Sequence, residues 1–137
     1  MSREILILKP DMLNQESIMC PVCGKDYTPN GVGPQSNKGL SFTLQTIFFL
    51  TTKKFKLAAK AHDITYLIVP YAPVLYKDGN FEFLCKTRKD CDDLFLILML
   101  NEARKSYPWM KSYYRKGAHV FYDFVREHGR SSFQHVH

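Results

Sequence analysis

Two short stretches constrain this chain more than any other: Ala58-Ala59-Lys60-Ala61-His62-Asp63-Ile64-Thr65-Tyr66 and Lys89-Asp90-Cys91-Asp92-Asp93-Leu94-Phe95. In the first, Ala58, Ala59, His62 and Tyr66 recur at helical spacing and share one face. In the second, Asp92 is followed by Phe95, Leu96 and Met99 on the same apolar side. Each helix therefore carries a titratable group on the side it must bury. Burial of an imidazole or a carboxylate is costly unless it finds a partner. Two such helices packed antiparallel supply each other's partner. The expected product is a His62–Asp92 pair, with the Tyr66 hydroxyl bracing Asp92 and with Asp63 beside the imidazole. If Asp92 holds one ring nitrogen, the other is left as a general base, which is a hydrolytic constellation.

The rest of the chain arranges itself around that pair. Glu4 to Leu8 reads as a short strand ended by Pro10. Met19 to Gly39 is rich in Pro and Gly and reads as an ordered loop. Leu40 to Thr52 is apolar and β-branched, and periodicity alone does not assign its type. A helix is expected from about Thr52 to Leu67, stopped by Pro70 and Pro73. Val74 to Tyr76 and Phe81 to Leu84 flank Lys77-Asp78-Gly79-Asn80, and an Asp-Gly pair between two apolar runs signals a hairpin. Thr87 is a good N-cap, with Asp90 in capping-box position, for a second helix reaching about Lys105. A third helix opens near Ser106, with Pro108 in its first turn, and stops at Gly129. Gly117 inside it points to close helix contact. The tail from Arg130 to His137 has no periodicity. The expected fold class is α+β, mainly α: an antiparallel helix pair joined by a β-hairpin, a third C-terminal helix and a loop-rich N-terminal region. It forms one domain over residues 1–137, with an N-terminal region at 1–51, a helix-hairpin-helix-helix core at 52–129 and a tail at 130–137.

A net charge of +6 in 137 residues, clustered at Lys53 to Lys56, Lys86 to Lys89 and Arg104 to Lys116, suits phosphate-bearing partners. A solvated helix face accounts for the same clusters equally well. No apolar run reaches membrane-spanning length, and the N-terminus has no secretory pattern. The expected location is inside a cell, or in something larger assembled there. Cys20-Pro21-Val22-Cys23-Gly24 has the form of a zinc knuckle, in which two thiolates supply half of a tetrahedral site. Cys85 and Cys91, or His128, His135 and His137, are candidates for the other half. A disulfide or free thiols remain open alternatives.

The pattern Ala59-x-x-His62-Asp63-x-x-Tyr66, then a hairpin, then Cys91-Asp92-x-x-Phe95 resembles the phospholipase A2 superfamily. It is most similar to compact viral forms and to phage proteins whose final aromatic-rich helix ends in Gly, as Val120 to Gly129 does here. The resemblance covers roughly Leu57 to Gly129. It implies a lipid-ester hydrolase in which His62 activates water, Asp92 orients His62, Tyr66 supports Asp92 and Asp63 binds calcium. The turn Asn30-Gly31-Val32-Gly33-Pro34 is the candidate calcium loop through Gly31 and Gly33, although an apolar segment separates it from His62. Cys91 matches a position that is often a disulfide cysteine in that family. The competing expectation is a non-catalytic, zinc-stabilised phage structural or adaptor protein. The expected partners are anionic lipid or other viral or phage proteins. Nucleic acid ranks behind both, because the positive residues coincide with amphipathic helices; the aromatics, too, fall mostly at helix-core spacing.

Overall fold

The computed structural model describes residues 5–14, 18–19, 26–27 and 53–133. In chain order the elements are β1 (Leu6–Leu8), a 3-10 helix (Pro10–Asn14), β2 (Ile18–Met19), β3 (Asp26–Tyr27) and α1 (Lys56–Ile68). They continue with β4 (Val74–Asp78), β5 (Phe81–Cys85), α2 (Arg88–Arg104), α3 (Pro108–His128) and a single turn, α4 (Arg130–Phe133). The protein is mainly helical, with a small three-stranded sheet in the order β1-β4-β5 and a separate β2-β3 pair.

The hairpin is what sets the helix pair. Gly79, at φ 59°, is the one positive-φ residue among those described, and it occupies the first loop position between the paired Asp78 and Phe81. That is the backbone a type II′ turn demands, and its twist matches the strands it joins. The β4 and β5 strands run out and back, with Val74 opposite Cys85, so α2 begins beside the place where α1 ended. The helices therefore pack antiparallel. Tyr66, near the end of α1, lies against Arg88 and Asp92 at the start of α2. Leu57 and Ala58, at the start of α1, share a cleft with Leu98 and Glu102 further along α2.

The sequence did not reveal what β1 does. It pairs in parallel with β4, Leu6 opposite Val74 and Leu8 opposite Tyr76, and so tethers the N-terminal strand to the hairpin. Leu8, Val74, Tyr76 and Cys85 turn inward to the core. Phe55, fully buried just before α1, packs edge-on to Tyr114 and Phe121 of α3, each at 6.0 Å between ring centroids. Gly117 and Ala118 are also buried, so the small residues of α3 sit on its packed face. α1 begins at Lys56, after a turn at 53–55, a few residues later than the sequence pattern places it. The segment 40–52 lies outside the described residues.

α2 opens as its sequence predicts. The Thr87 side chain accepts from the Asp90 N–H at 3.2 Å, while Asp90 Oδ2 accepts from the backbone N–H of Thr87 at 3.1 Å and of Lys86 at 2.9 Å. These bonds satisfy N–H groups that a helix start leaves orphaned. Replacing the cap, Thr87→Ala, is expected to cost about 1 kcal/mol. Urea titration checks this, and the midpoint should fall while the slope stays constant.

Candidate active site

Asp92 is the centre of the site and is fully buried. The hairpin brings it opposite α1, where His62 Nε2 lies 2.8 Å from Asp92 Oδ1. The Tyr66 hydroxyl donates to the same oxygen at 2.5 Å. His62, Tyr66 and Asp92 thus come together as the helix spacing predicts. His62 is 7% exposed, its ring stacked on Phe95 at 4.6 Å and tilted against Tyr66 at 4.1 Å. These two ring contacts hold the imidazole in place, so the hydrogen bond to Asp92 and the rotamer reinforce each other. Asp63 sits on the opposite side of the imidazole, its Oδ1 4.0 Å from Nδ1.

Two arginines complete the surroundings of Asp92, and neither was among the residues picked from the sequence. Arg126, in the last turn of α3, donates from Nη1 to Asp92 Oδ2 at 2.8 Å. Arg88, one turn before Asp92 on α2, stands 3.7 Å from the same oxygen. Arg88 also donates to the carbonyl oxygens of Val125 at 3.0 Å and Arg126 at 3.1 Å. A cation there adds a donor to last-turn carbonyls, of which Val125 already accepts the Gly129 N–H, and meets the negative end of the helix dipole. The signal for Arg88 was present, since a buried acid with an Arg four residues earlier on the same helix is a candidate pair. Arg126 had no such local signal, because its contact depends on how α3 packs.

Gly129 explains how α3 comes so close. The sequence offers it as a helix stop, and α3 does end at His128 with Gly129 as its C-cap; the φ of −80° is right-handed, so no left-handed turn is what calls for glycine. Glycine is needed there for space. A Cβ would lie 2.5 Å from the Val125 carbonyl oxygen, 2.7 Å from the Tyr66 hydroxyl and 3.3 Å from Arg88 Nη1. The backbone therefore passes directly over the Tyr66–Arg88 contact. α4 then sets Phe133 edge-on to Tyr66 at 5.2 Å, so part of a tail with no periodicity closes the site.

The electrostatics follow from this geometry. Burial alone pushes the Asp92 carboxyl up, but the bonds from His62, Tyr66 and Arg126 outweigh it and hold the group below the ordinary carboxylate range. Burial first, and then the Asp92 charge, push the Tyr66 phenol far above its ordinary range, so it remains a proton donor. The site therefore keeps an ionised carboxylate in a dry setting, with Nε2 of His62 committed to it and Nδ1 on the other side of the ring.

The cysteine candidates divide. Cys85 and Cys91 are free, fully buried and in contact, at the hairpin end and the start of α2. The contact with Cys85 first, and burial second, push the Cys91 thiol well up. The Cys85 thiol also reaches the Asp90 carbonyl at 3.7 Å. Cys20, Cys23, Gly31, Gly33, His135 and His137 lie outside the described residues. His128 is exposed beside Glu127, at 3.8 Å. Among the described residues, no group of three or more His, Cys, Asp or Glu side chains is gathered to hold a metal ion. Among them, too, no helix is long and apolar enough to cross a membrane.

A scan against protein-family models finds no match to this chain, and neither does a comparison with curated proteins or with solved structures.

Because the folded-state pKa of Asp92 is depressed, its contribution is fully present above about pH 4, where an unfolded aspartate titrates. It is lost as pH falls through the lower native value. Urea midpoints measured from about pH 7 down to about pH 2 should drop below about pH 4. The acid limb should be shallower in Asp92→Asn, and parallel limbs would contradict this assignment.

Proposed function

We propose that this chain is a phospholipase A2-like lipid-ester hydrolase of the viral or phage type. The observation that carries the reading is the 2.8 Å contact of His62 Nε2 with buried Asp92, which leaves Nδ1 on the side facing Asp63. A proton on Nε2 makes Nδ1 a lone-pair acceptor. Nδ1 then removes a proton from a water molecule as its oxygen attacks the acyl carbonyl carbon. Asp92 stabilises the imidazolium that forms, and Tyr66 with Arg126 keeps that carboxylate oriented. On collapse of the tetrahedral intermediate the carbon–oxygen bond to the alcohol breaks. The leaving oxygen takes its proton from Nδ1, giving a free fatty acid and an alcohol.

Calcium belongs to this proposal through Asp63. The side chain is chemically suited as one hard-oxygen ligand and is 17% exposed. A single carboxylate supplies at most two of the roughly 6–8 oxygens such a cation takes. Gly31 and Gly33 are the proposed source of others. When bound, the ion would supply charge to stabilise the oxyanion. Zinc at Cys20 and Cys23 is proposed separately, as a structural element. Host cytoplasm or the particle is the proposed place of action, with anionic lipid as the surface acted on.

A second reading has one observation in its favour. Asp92 already takes bonds from His62, Tyr66 and Arg126, so the network is complete as architecture without any chemistry. In that reading the chain is a non-catalytic particle component or adaptor.

Fatty-acid release from mixed phosphatidylcholine and phosphatidylglycerol vesicles, with and without calcium, separates the two. Wild type should release fatty acid, and His62→Gln, with its circular dichroism unchanged, should lose about 10²–10⁴-fold. Folded wild type that releases none in calcium would remove the hydrolase reading and leave the architectural one.

A further inference from the structure

The turn between α2 and α3 carries a feature that the His62 site does not use. Tyr107 is 73% exposed and Trp109 is 77% exposed, the two largest exposures among the described large apolar residues. Their rings lie nearly parallel, at 11° with centroids 6.3 Å apart. The turn that holds them is ordered: Pro108 fixes the first position of α3, Ser106 N–H bonds to the Ala103 carbonyl at 3.1 Å, and Met110 N–H bonds to the Tyr107 carbonyl at 2.8 Å. Two large aromatics held side by side in water are costly to leave uncovered.

Next to them is a cleft of about 240 Å³ lined by Arg104, Lys111 and Arg115 with Leu100 and Ala103. Among the described residues, no acidic side chain lines it. From Ala103 to Tyr122 the sequence contains no Asp or Glu at all. Lys111 closes the first turn of α3, where the helix dipole disfavours a cation, and Arg115 lies one turn further along the same face. The placement of Lys111 costs stability locally, and an external anion would compensate for it.

We infer that this end of the helical hairpin is a docking surface for an anionic phospholipid bilayer, with Tyr107 and Trp109 seated among the headgroups and Arg104, Lys111 and Arg115 meeting lipid phosphates. Amphipathic rings of this kind are enriched at membrane interfaces, and cations near an anionic surface add attraction. The ring arrangement favours a bilayer over nucleic acid. Single-strand binding uses a series of stacking rings along a basic groove, whereas Tyr107 and Trp109 are the two aromatics among the exposed large apolar residues described, and they sit together at one turn. From Asp92 to Arg104 the axis of α2 spans roughly 18 Å. The surface is therefore separate from the His62 site, and its occupancy does not depend on the proposed hydrolysis.

Trp109 is the sole tryptophan of the chain, so its fluorescence reports on this surface directly. Full-length protein is mixed with phosphatidylcholine vesicles or with vesicles that also contain phosphatidylglycerol, and is followed by sedimentation and emission. Anionic vesicles should carry the protein down and shift the emission to the blue, whereas neutral ones should do neither. Lys111→Ala and Arg115→Ala should each weaken binding about fivefold. Trp109→Ala should weaken sedimentation while leaving the thermal melt unchanged. His62→Gln should bind as wild type does, so loss of hydrolysis and loss of docking are told apart. Equal failure to sediment with both vesicle types overturns the inference. So does tight binding to a single-stranded oligonucleotide without any vesicle binding.

Discussion

An aspartate with no solvent exposure that remains charged is the constraint on which this structure turns. A carboxylate in that position is strongly unfavourable by itself, and removing any single partner would leave a buried charge under-compensated. Asp92 therefore dictates where its neighbours go. α1 must present His62 and Tyr66 toward it, α2 must place Arg88 a turn away, and α3 must arrive with Arg126 at its last turn. Gly129 is part of the same requirement, because the chain can cross the Tyr66 hydroxyl only where there is no side chain. Three helices and one glycine are thus coordinated through two carboxylate oxygens.

The part of this that the sequence made legible is the part governed by short range. Helical spacing placed His62, Tyr66 and Asp92 on inward faces, and the Asp78-Gly79 turn forced the helices to meet antiparallel. The Thr87–Asp90 cap fixed the start of α2 to the residue. What escaped was long-range. Arg126 and Phe133 reach the site only because α3 folds back along α2, and no spacing within α3 encodes that. Gly129 ends α3 as its position suggested, but its close approach to Tyr66 was not legible, since a crowded hydroxyl from another helix has no local signature. The parallel pairing of β1 with β4 is non-local in the same way. The candidates at Cys20, Cys23, Gly31 and Gly33 lie outside the described residues, so the zinc and calcium proposals rest on the sequence pattern and, for calcium, on Asp63.

The arginines have a consequence for chemistry. In a bare His–Asp pair the carboxylate charge acts chiefly on the imidazole. Here Arg126 draws on the other carboxylate oxygen and Arg88 adds a second positive charge nearby. Part of the Asp92 charge is therefore spent on holding the helices together. Orientation of His62 is left as the main effect of Asp92 on the ring, and the Phe95 and Tyr66 contacts reinforce it. The molecule divides its tasks by position. One end of the hairpin of helices holds the charged network, and the other presents exposed aromatics with surplus positive charge.

Nitrogen-15 chemical shifts of the His62 ring at neutral pH test the central claim most directly. The account predicts that the neutral form of the ring carries its proton on Nε2, with the lone pair on Nδ1, and that this tautomer preference is lost in Asp92→Asn. A ring protonated at Nδ1 alone, or tautomers in equal proportion in the wild type, would contradict it.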